Sequence, residues 1–224
     1  MYENENPVFD NVDAYLEERL TPPDETLELT LKRQDEAGLP PMAVSPLQGA
    51  FLNILAKSIG AKRILELGTF AGYSTIWLAR ALPEGGKVIT LELQDVNADL
   101  SQRNFDDTGL ADLIEIRRGP AEKSLNILIN DGVKPFDFIF LDADKIRYPT
   151  YLDQILMLSR PGTLIIADNV IRNGRILDDS GKDPSIRGVR TFLDMLKDHP
   201  QLHCTALQTM GCKGYDGFAM MYVR

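Results

Sequence analysis

Two apolar runs in the second half of the chain end in polar residues: Asp142 follows the first, and Asp168 and Asn169 follow the second. Two carboxylates and a carboxamide offer hard oxygen atoms, which suit Mg²⁺ or a similar cation. If both runs are neighbouring parallel strands, their ends lie about 4.8 Å apart, and one ion could reach all three side chains. The alternative is that Asp142 and Asp168 cap the helices that follow. The residue types alone leave both interpretations open.

Lys145 follows Asp142 by three positions and can reach the same place. A bound cation disfavours a neighbouring ammonium group, so the neutral amine of Lys145 could accept a proton from a hydroxyl held there. A single loop lysine is also a common solvated surface residue, which is the alternative interpretation. Lys145 and Asp142 are the candidate catalytic residues.

A glycine-bearing segment earlier in the chain predicts a ligand-binding turn. The segment is Arg63-Ile-Leu-Glu-Leu-Gly-Thr-Phe-Ala-Gly-Tyr-Ser74 and predicts a strand, a tight turn and a helix start, where backbone N–H groups can hold a ligand. Phe70 stands where a dinucleotide-binding G-x-G-x-x-G fingerprint needs its second glycine, so that fingerprint is absent. Gly72 is expected to leave room for the ligand. The alternative is an ordinary strand–turn–helix of an α/β domain.

Two further strand ends carry residues that suit a nucleoside. Glu92 ends the strand after the glycine segment, where a carboxylate can accept hydrogen bonds from ribose hydroxyls. The next strand is followed by Gly119-Pro-Ala121, small residues that suit the edge of a flat ring. Ligands of open α/β sheets bind outside the carboxyl ends of the strands, so all these residues are expected on one rim.

Alternating strands and helices predict an α/β fold with a mostly parallel sheet covered on both faces. The predicted strands are Arg63–Leu67, Lys87–Glu92, Leu113–Arg117, Phe136–Leu141 and Thr163–Ala167. The predicted helices are Pro46–Ile59 with Ser45 as its cap, Tyr73–Leu82, Val96–Thr108, Glu122–Asn130, Tyr148–Leu158 and Ile186–Lys197. Two last strands, Leu202–Leu207 and Phe218–Val223, are expected to form an antiparallel hairpin around a glycine-rich loop at 211–217. The chain 1–224 is expected to be one domain, with a helical lead-in at 1–41 and its core at 42–224.

Composition disfavours several classes of function. The 224 residues include 24 Lys and Arg against 33 Asp and Glu, a net charge of −9, so nucleic acid is an unfavourable partner. The first residues show no secretory signal, and no apolar run approaches the roughly 20 residues of a membrane helix. Cys204 and Cys212 are too few for a disulfide framework, and a cytoplasmic location is expected. His199 and His203 lie outside every cluster above, which disfavours a Ser-His-Asp or histidine–metal site.

Six ordered segments together resemble the cation-dependent, class I S-adenosylmethionine-dependent O-methyltransferases, the family of the caffeoyl-CoA and catechol O-methyltransferases and their bacterial relatives. The segments are Met42–Pro46, Leu65–Ser74, Ile89–Glu92, Gly119–Ala121, Phe138–Lys145 with Tyr148, and Ala167–Val170. The resemblance covers the chain from about residue 42 to its end. It implies a Rossmann-like methyltransferase fold, with a seven-stranded sheet in the order 3-2-1-4-5-7-6 and an antiparallel last strand.

The resemblance also implies roles by position. Asp142, Asp168 and Asn169 would hold Mg²⁺ or another divalent cation such as Mn²⁺ or Ca²⁺, and Lys145 would be the catalytic base. The residues implied for S-adenosylmethionine are Val44, Glu66, Gly68, Thr69, Ser74, Glu92, Ala121 and Asp142. The implied reaction methylates one hydroxyl of a vicinal aromatic diol of the catechol or caffeoyl type. The implied assembly is a homodimer. Independently of the resemblance, the apolar stripes of the lead-in helices must be buried, so these helices could fold over the rim, pack on a second subunit, or do both.

The chain departs from the animal catechol enzymes of this family at three places. They have His-Trp after the first metal aspartate, where this chain has Ala143-Asp144, and a tryptophan where it has Pro40. Their late glutamate, which holds the second catechol hydroxyl, has no match near Gly211–Gly217. These departures put the chain nearer the caffeoyl-CoA and bacterial branch.

Other functions on this scaffold stay open. A methyltransferase acting on nitrogen or without a metal is disfavoured because Val170-Ile171 stands where an amine-binding Pro-Pro-Tyr or Pro-Pro-Phe would be expected. A module that binds S-adenosylmethionine without turnover is disfavoured because it has no need of Lys145 and the oxygen ligands. A small-molecule acceptor other than a catechol also stays open. The polar segment 172–181 is expected to border the acceptor and does not identify it.

Overall fold

Seven strands form one sheet in this computed structural model, which describes residues 7–224. The first six residues of the predicted lead-in lie outside the described residues. The strands are β1 (Arg63–Leu67), β2 (Lys87–Glu92), β3 (Ile114–Arg118), β4 (Phe138–Leu141), β5 (Leu164–Ala167), β6 (Leu202–Gly211) and β7 (Gly214–Val223). Their order is β3-β2-β1-β4-β5-β7-β6, and β7 runs antiparallel to both of its neighbours. The predicted fold class and strand order are confirmed.

Helices cover both faces of the sheet. They are α1 (Pro7–Leu20), α2 (Glu25–Glu36), α3 (Pro46–Ser58), α4 (Tyr73–Ala79), α5 (Asp95–Thr108), α6 (Ala121–Asn130), α7 (Tyr148–Met157) and α8 (Pro184–Leu196). One apolar cluster joins α6, α7 and α8 to the sheet through residues such as Leu125, Leu152 and Val189. A second cluster joins α3, α4 and α5 to the other face, for example through Leu52 and Phe105. Both faces of the central strands are therefore buried, which explains why β4 and β5 are apolar at every position.

The strand order reverses between β1 and β4, and the two strand ends meet there. The N–H of Asp142 donates to the carbonyl of Leu67 at 2.9 Å. A Cβ atom at position 68 would collide with the carbonyl oxygen of Asp142, and Gly68 has a φ of +99°. Only glycine satisfies both demands. The glycine turn and the first candidate metal ligand are thus joined by backbone contact.

The lead-in helix α2 packs on the core away from the sheet. Asp24 caps α2 by accepting the N–H groups of Thr26 and Leu27, and it also accepts a hydrogen bond from Arg80 at 2.7 Å. Leu27 is buried, and Arg33 forms an ion pair with Asp107 of α5. In contrast, α1 has no buried residue among those described.

The last hairpin differs from the prediction. The strands Leu202–Gly211 and Gly214–Val223 are longer than expected and leave only two residues in the turn, so the predicted glycine-rich loop at 211–217 is wrong. A Cβ atom at Gly217 would collide with the carbonyl oxygen of Leu207. Glycine at this position permits close approach of two strands and does not mark a loop.

No helix within residues 7–224 is both long and apolar enough to cross a membrane.

Candidate active site

The carboxylate of Asp168 lies at the end of β5 and is almost fully buried. Its Oδ1 accepts the N–H of Asn169 at 2.8 Å, and its Oδ2 accepts the side-chain amide of Gln48 at 2.7 Å. Burial raises the pKa of Asp168, and the nearby charge of Asp142 raises it further. Lys145 acts in the opposite direction. The two predicted aspartates are therefore close enough to interact electrostatically.

Neither aspartate caps a helix. The helix after Asp142 is α7, whose N-cap is Arg147 and has no side-chain capping bond. The short 3₁₀ turn after Asp168 begins at Arg175, and its N-cap is Gly174. The capping interpretation is therefore wrong for both carboxylates.

Lys145 is not a solvated loop lysine, because only 8 % of its surface is exposed. Its Nζ donates to Oδ1 of Asp142 at 2.6 Å and lies 4.9 Å from the ring centre of Tyr148. The 3₁₀ turn that carries Lys145 is capped by Asp144, whose carboxylate accepts the N–H of Ile146. On the other side α8 approaches the carbonyl of Lys145 so closely that only glycine fits at Gly188. Lys145 is thus held in place at its backbone and at its ammonium group.

Tyr148 contacts the ends of both β4 and β5 from the buried core. Its hydroxyl lies 2.9 Å from the carbonyl oxygen of Leu141 and 3.0 Å from that of Asp168, and its single proton is shared between them. Tyr148 is fully buried, and its ring packs edge-on against Phe192. The parallel pairing of β4 and β5 sets the spacing of the two strand ends, and this core side chain bridges them.

Asn169 has a left-handed backbone conformation, with a φ of +55°. Asparagine tolerates this conformation better than most residues. Within residues 7–224 its carboxamide makes no side-chain hydrogen bond that would hold it, unlike the carboxylate of Asp168. The position of Asn169 is set by the backbone on either side of it.

Glu66 lies beneath the glycine turn and not at its surface. It is fully buried, and its carboxylate accepts hydrogen bonds from Ser74 at 2.6 Å, from Thr90 at 2.7 Å and from Thr75. Burial raises the pKa of Glu66 to about 7 against the lowering effect of these bonds. Glu66 therefore fixes the start of α4, and Ser74 is the half-buried end of this network.

Glu92, at the end of β2, ties the glycine turn after β1 to the backbone that follows β2. One of its oxygens accepts the N–H of Phe70 at 2.8 Å, and the other accepts the N–H of Gln94 at 2.8 Å. A carboxylate has about four acceptor positions, so further donors can be accommodated. Thr69 is buried beside it and shares a 2.6 Å hydrogen bond with Thr90.

The remaining predicted residues flank this rim. Val44 is nearly buried and precedes Ser45, the residue that caps α3. Ala121 opens α6 directly after the β3 turn. Gly72 differs from its prediction: a Cβ atom there would collide with the ring of Phe105, so this glycine serves packing against α5 and not room for a ligand.

Gln48 is the site residue that the sequence did not reveal. It lies 120 positions before Asp168 on α3, two residues after the segment Met42–Pro46, and that segment does not point to a role for Gln48. Only the path of α3 across the rim brings its amide to the carboxylate.

The case for a metal site at Asp142, Asp168 and Asn169 rests on the oxygen atoms that these side chains offer. Among residues 7–224 no group of three or more His, Cys, Asp or Glu side chains could hold a metal ion. The candidate set has two carboxylates and one carboxamide, so it falls outside that pattern while still offering three hard oxygen donors.

Comparison with known proteins identifies the family. The profile of a family described as O-methyltransferase matches residues 18–214, which is most of the chain. The chain belongs to the O-methyltransferase family. A catechol O-methyltransferase of Niastella koreensis is 48% identical over 219 residues, covering 98% of this chain and 99% of the relative. A catechol O-methyltransferase of Mycobacterium tuberculosis is 44% identical over 221 residues, covering 99% of each.

Among solved structures, the O-methyltransferase from Bacillus cereus in complex with SAH superimposes with a TM-score of 0.96 at 47% identity, covering 97% of this chain and 99% of that one. This O-methyltransferase therefore shares both its sequence and its fold with relatives over nearly its full length. It is an enzyme, as the predicted chemistry of the rim required.

Proposed function

We propose that this enzyme transfers a methyl group from S-adenosylmethionine to one hydroxyl of a vicinal aromatic diol, with a divalent cation bound at Asp142, Asp168 and Asn169. The observation that carries the proposal is the contact of Lys145 with Asp142 beside the buried Asp168. It places the amino group of Lys145 next to a set of oxygen ligands. The names of the relatives from Niastella and Mycobacterium support a catechol as the acceptor class.

S-adenosylmethionine fits the half of the rim formed by β1, β2 and β3. The residues that would hold it are Val44, Glu66 through its network, Gly68, Thr69, Ser74, Glu92, Ala121 and Asp142. A Cβ atom at Gly119 would meet nothing within 4 Å, so the end of β3 leaves open space for a flat ring. SAH, bound in the Bacillus cereus relative, is what S-adenosylmethionine becomes after losing its methyl group. When bound, the cofactor supplies an electrophilic methyl group.

A divalent cation fits the donor set at the ends of β4 and β5. Burial and mutual repulsion raise the pKa of Asp168, and a positive charge between the carboxylates would relieve that repulsion. Mg²⁺ is the proposed ion, and Mn²⁺ and Ca²⁺ have the same preference for oxygen ligands. When bound, the cation fixes and acidifies an acceptor hydroxyl.

The protein's own residues then position the acceptor and take its proton. Lys145 in its neutral form accepts the proton of the acceptor hydroxyl at Nζ. Asp142 keeps that amine at the rim through the 2.6 Å contact, and Gln48 orients Asp168. Tyr148 bridges the ends of the paired strands β4 and β5, so the strands that carry the oxygen ligands are held before any ligand binds.

The proposed reaction is tested by supplying S-adenosylmethionine with small catechols and hydroxycinnamoyl thioesters, with and without EDTA. We expect a mass gain of about 14 Da, the net addition of one methylene, on one hydroxyl of a vicinal diol, and loss of this product in excess chelator. Matched phenols with a single hydroxyl serve as controls and should react far more slowly. Full activity in excess EDTA would contradict the proposed cation, and methylation of amines alone would contradict the proposed acceptor.

Replacing Glu92 by alanine is expected to weaken S-adenosylmethionine binding by about 1.5–3 kcal/mol, roughly 10–150-fold, because charged acceptors make the stronger hydrogen bonds. Calorimetry of the purified protein measures this. Glu115→Ala is the matched control on the neighbouring strand, since Glu115 pairs with Arg117 at the surface. Equal affinity of the two variants would remove Glu92 from the cofactor site.

We also propose that the enzyme is a homodimer. Support comes from α1, which exposes Val8, Val12 and Tyr15 at helical spacing along one face. Light scattering at micromolar concentration should give about twice the chain mass of 25.0 kDa. The triple change of these residues to serine should shift the mass toward one chain, and a wild-type monomer would contradict the proposal.

The two free cysteines support a cytoplasmic location.

A further inference from the structure

The loop that follows Asn169 is held by the first residues of β7. Its four backbone N–H groups from Val170 to Asn173 all find acceptors in the segment Tyr215–Gly217. Val170 donates to the carbonyl of Gly217 at 2.9 Å, and Asn173 donates to the carbonyl of Tyr215 at 3.1 Å. The two N–H groups between them go to a side chain, that of Asp216.

A single oxygen of Asp216 accepts three backbone hydrogen bonds. Its Oδ1 lies 3.0 Å from the N–H nitrogen of Ile171, 2.8 Å from that of Arg172 and 2.9 Å from that of Gly217. An ionised carboxylate bonds such donors more strongly than a neutral acceptor does. Asp216 therefore ties the loop after β5 to the start of β7.

The loop needs this support because its backbone is strained. Asn169, Arg172 and Asn173 all have left-handed conformations, with φ values of +55°, +56° and +55°. Residues other than glycine adopt this region at a cost, and such conformations persist only where the surrounding structure determines them. Asn169 has no side-chain hydrogen bond of its own within the described residues, so its carboxamide is placed by this loop.

We propose that Asp216 is a positioning residue of the active site, which acts through the backbone of residues 170–172 to hold Asn169 as an oxygen ligand. The inference rests on the proposed cation site. A Cβ atom at Gly217 would also collide with Ile171. Strand β7 therefore contacts the loop closely at Gly217 as well as at Asp216. The Asp-Gly pair at 216–217 is thus part of the site although it lies outside the rim segments.

The test measures Mn²⁺ binding to the whole protein by electron paramagnetic resonance, without substrate or turnover. Asp216→Ala should weaken Mn²⁺ binding by about 10–100-fold, the usual effect of losing a group that orients a metal ligand. Asp216→Asn should lose only severalfold, because its carbonyl oxygen still accepts the same N–H groups. Without metal, backbone hydrogen exchange over residues 169–174 should be faster than in the wild type, by more in Asp216→Ala than in Asp216→Asn.

The matched control is Asp137→Ala at the opposite end of the sheet. Asp137 likewise accepts two backbone N–H groups with one oxygen, those of Lys62 and Arg63, each at 2.9 Å. This change should lower the unfolding temperature and leave the Mn²⁺ affinity within about twofold, since the two sites are well separated. A positioning role is thereby distinguished from general stability.

A double variant distinguishes action through Asn169 from independent action. In the Asn169→Ala background, Asp216→Ala should weaken Mn²⁺ binding by less than about twofold further, because the ligand it positions is gone. If the loss of Mn²⁺ affinity in the double variant equals the product of the losses in the two single variants, the inference is overturned. It is also overturned if both Asp216 variants bind Mn²⁺ and exchange hydrogen as the wild type does. Should Asp216→Ala not fold, Asp216→Asn and its double variant decide by the same criteria. Failure of the wild type to bind Mn²⁺ would instead overturn the cation site, and this inference with it.

Discussion

Lys145→Ala is expected to lower the rate of methyl transfer by about 10²–10⁴-fold, the usual contribution of general acid–base catalysis. The alanine variant has no amine to take the proton of the acceptor hydroxyl, and the carboxylate of Asp142 loses the group that contacts it at 2.6 Å. Single-turnover measurements with saturating S-adenosylmethionine isolate this step. Affinities for the cofactor and for Mn²⁺ should stay nearly unchanged.

A substrate series decides whether Lys145 acts as a base. Catechols with electron-withdrawing groups are already acidic, so their rates should fall less in Lys145→Ala than the rates of ordinary catechols. Lys123→Ala, which changes an exposed lysine of α6, serves as the control and should match the wild type. An equal loss for acidic and ordinary catechols, with the metal still bound, would mean that Lys145 positions the substrate.

Asp168→Ala is expected to lower methyl transfer by about 100-fold or more, and Asn169→Ala should act similarly. Loss of a group that merely orients a metal ligand already costs about 10–100-fold, so loss of a ligand should cost at least as much. Calorimetry should show that S-adenosylmethionine still binds to both variants, since neither residue is proposed to contact it. Activity near the wild-type level in either variant would remove that residue from the cation site.

The same aspartate gives a pH dependence. Burial and Asp142 raise the pKa of Asp168, and only its ionised form binds a cation. Affinity for Mn²⁺ should be highest at a pH above the pKa of Asp168 and should fall as the pH drops through that pKa. Because the pKa is raised, this fall should occur at a higher pH than it would for an ordinary carboxylate. Titration of Mn²⁺ binding between about pH 5 and 8 measures this. An affinity that is constant over this range would contradict the raised pKa.

The residues at the ends of the parallel strands could be predicted because topology alone brings them together. Once strand and helix alternate, the carboxyl ends of the strands share a rim, and residues such as Asp142, Glu92 and Asp168 need no further information to be placed there. The glycine at position 68 was likewise informative, since the approach of β1 to β4 demands it.

The residues that support this rim could not be predicted in the same way. Gln48 contacts Asp168 from helix α3. Asp216 contacts the loop after β5 from strand β7, which pairs antiparallel with β5. Both contacts depend on how elements distant in sequence pack, which local patterns do not encode. The glycines of the last hairpin misled for a related reason. Their composition is that of a loop, and only the tight pairing of β6 and β7 shows why glycine is needed.

The bridge made by Tyr148 bears on which diols the site accepts. Its hydroxyl bridges the paired ends of β4 and β5 from within the core, beyond the reach of any loop that borders the acceptor. We therefore expect the loop segment at 172–181 to vary in sequence with the ring substituents that are tolerated. The geometric relation between the two acceptor oxygens, adjacent rather than one carbon further apart, should resist such changes. Widening the site to 1,3-diols would then require repacking beneath the sheet, beginning at Tyr148 and Phe192.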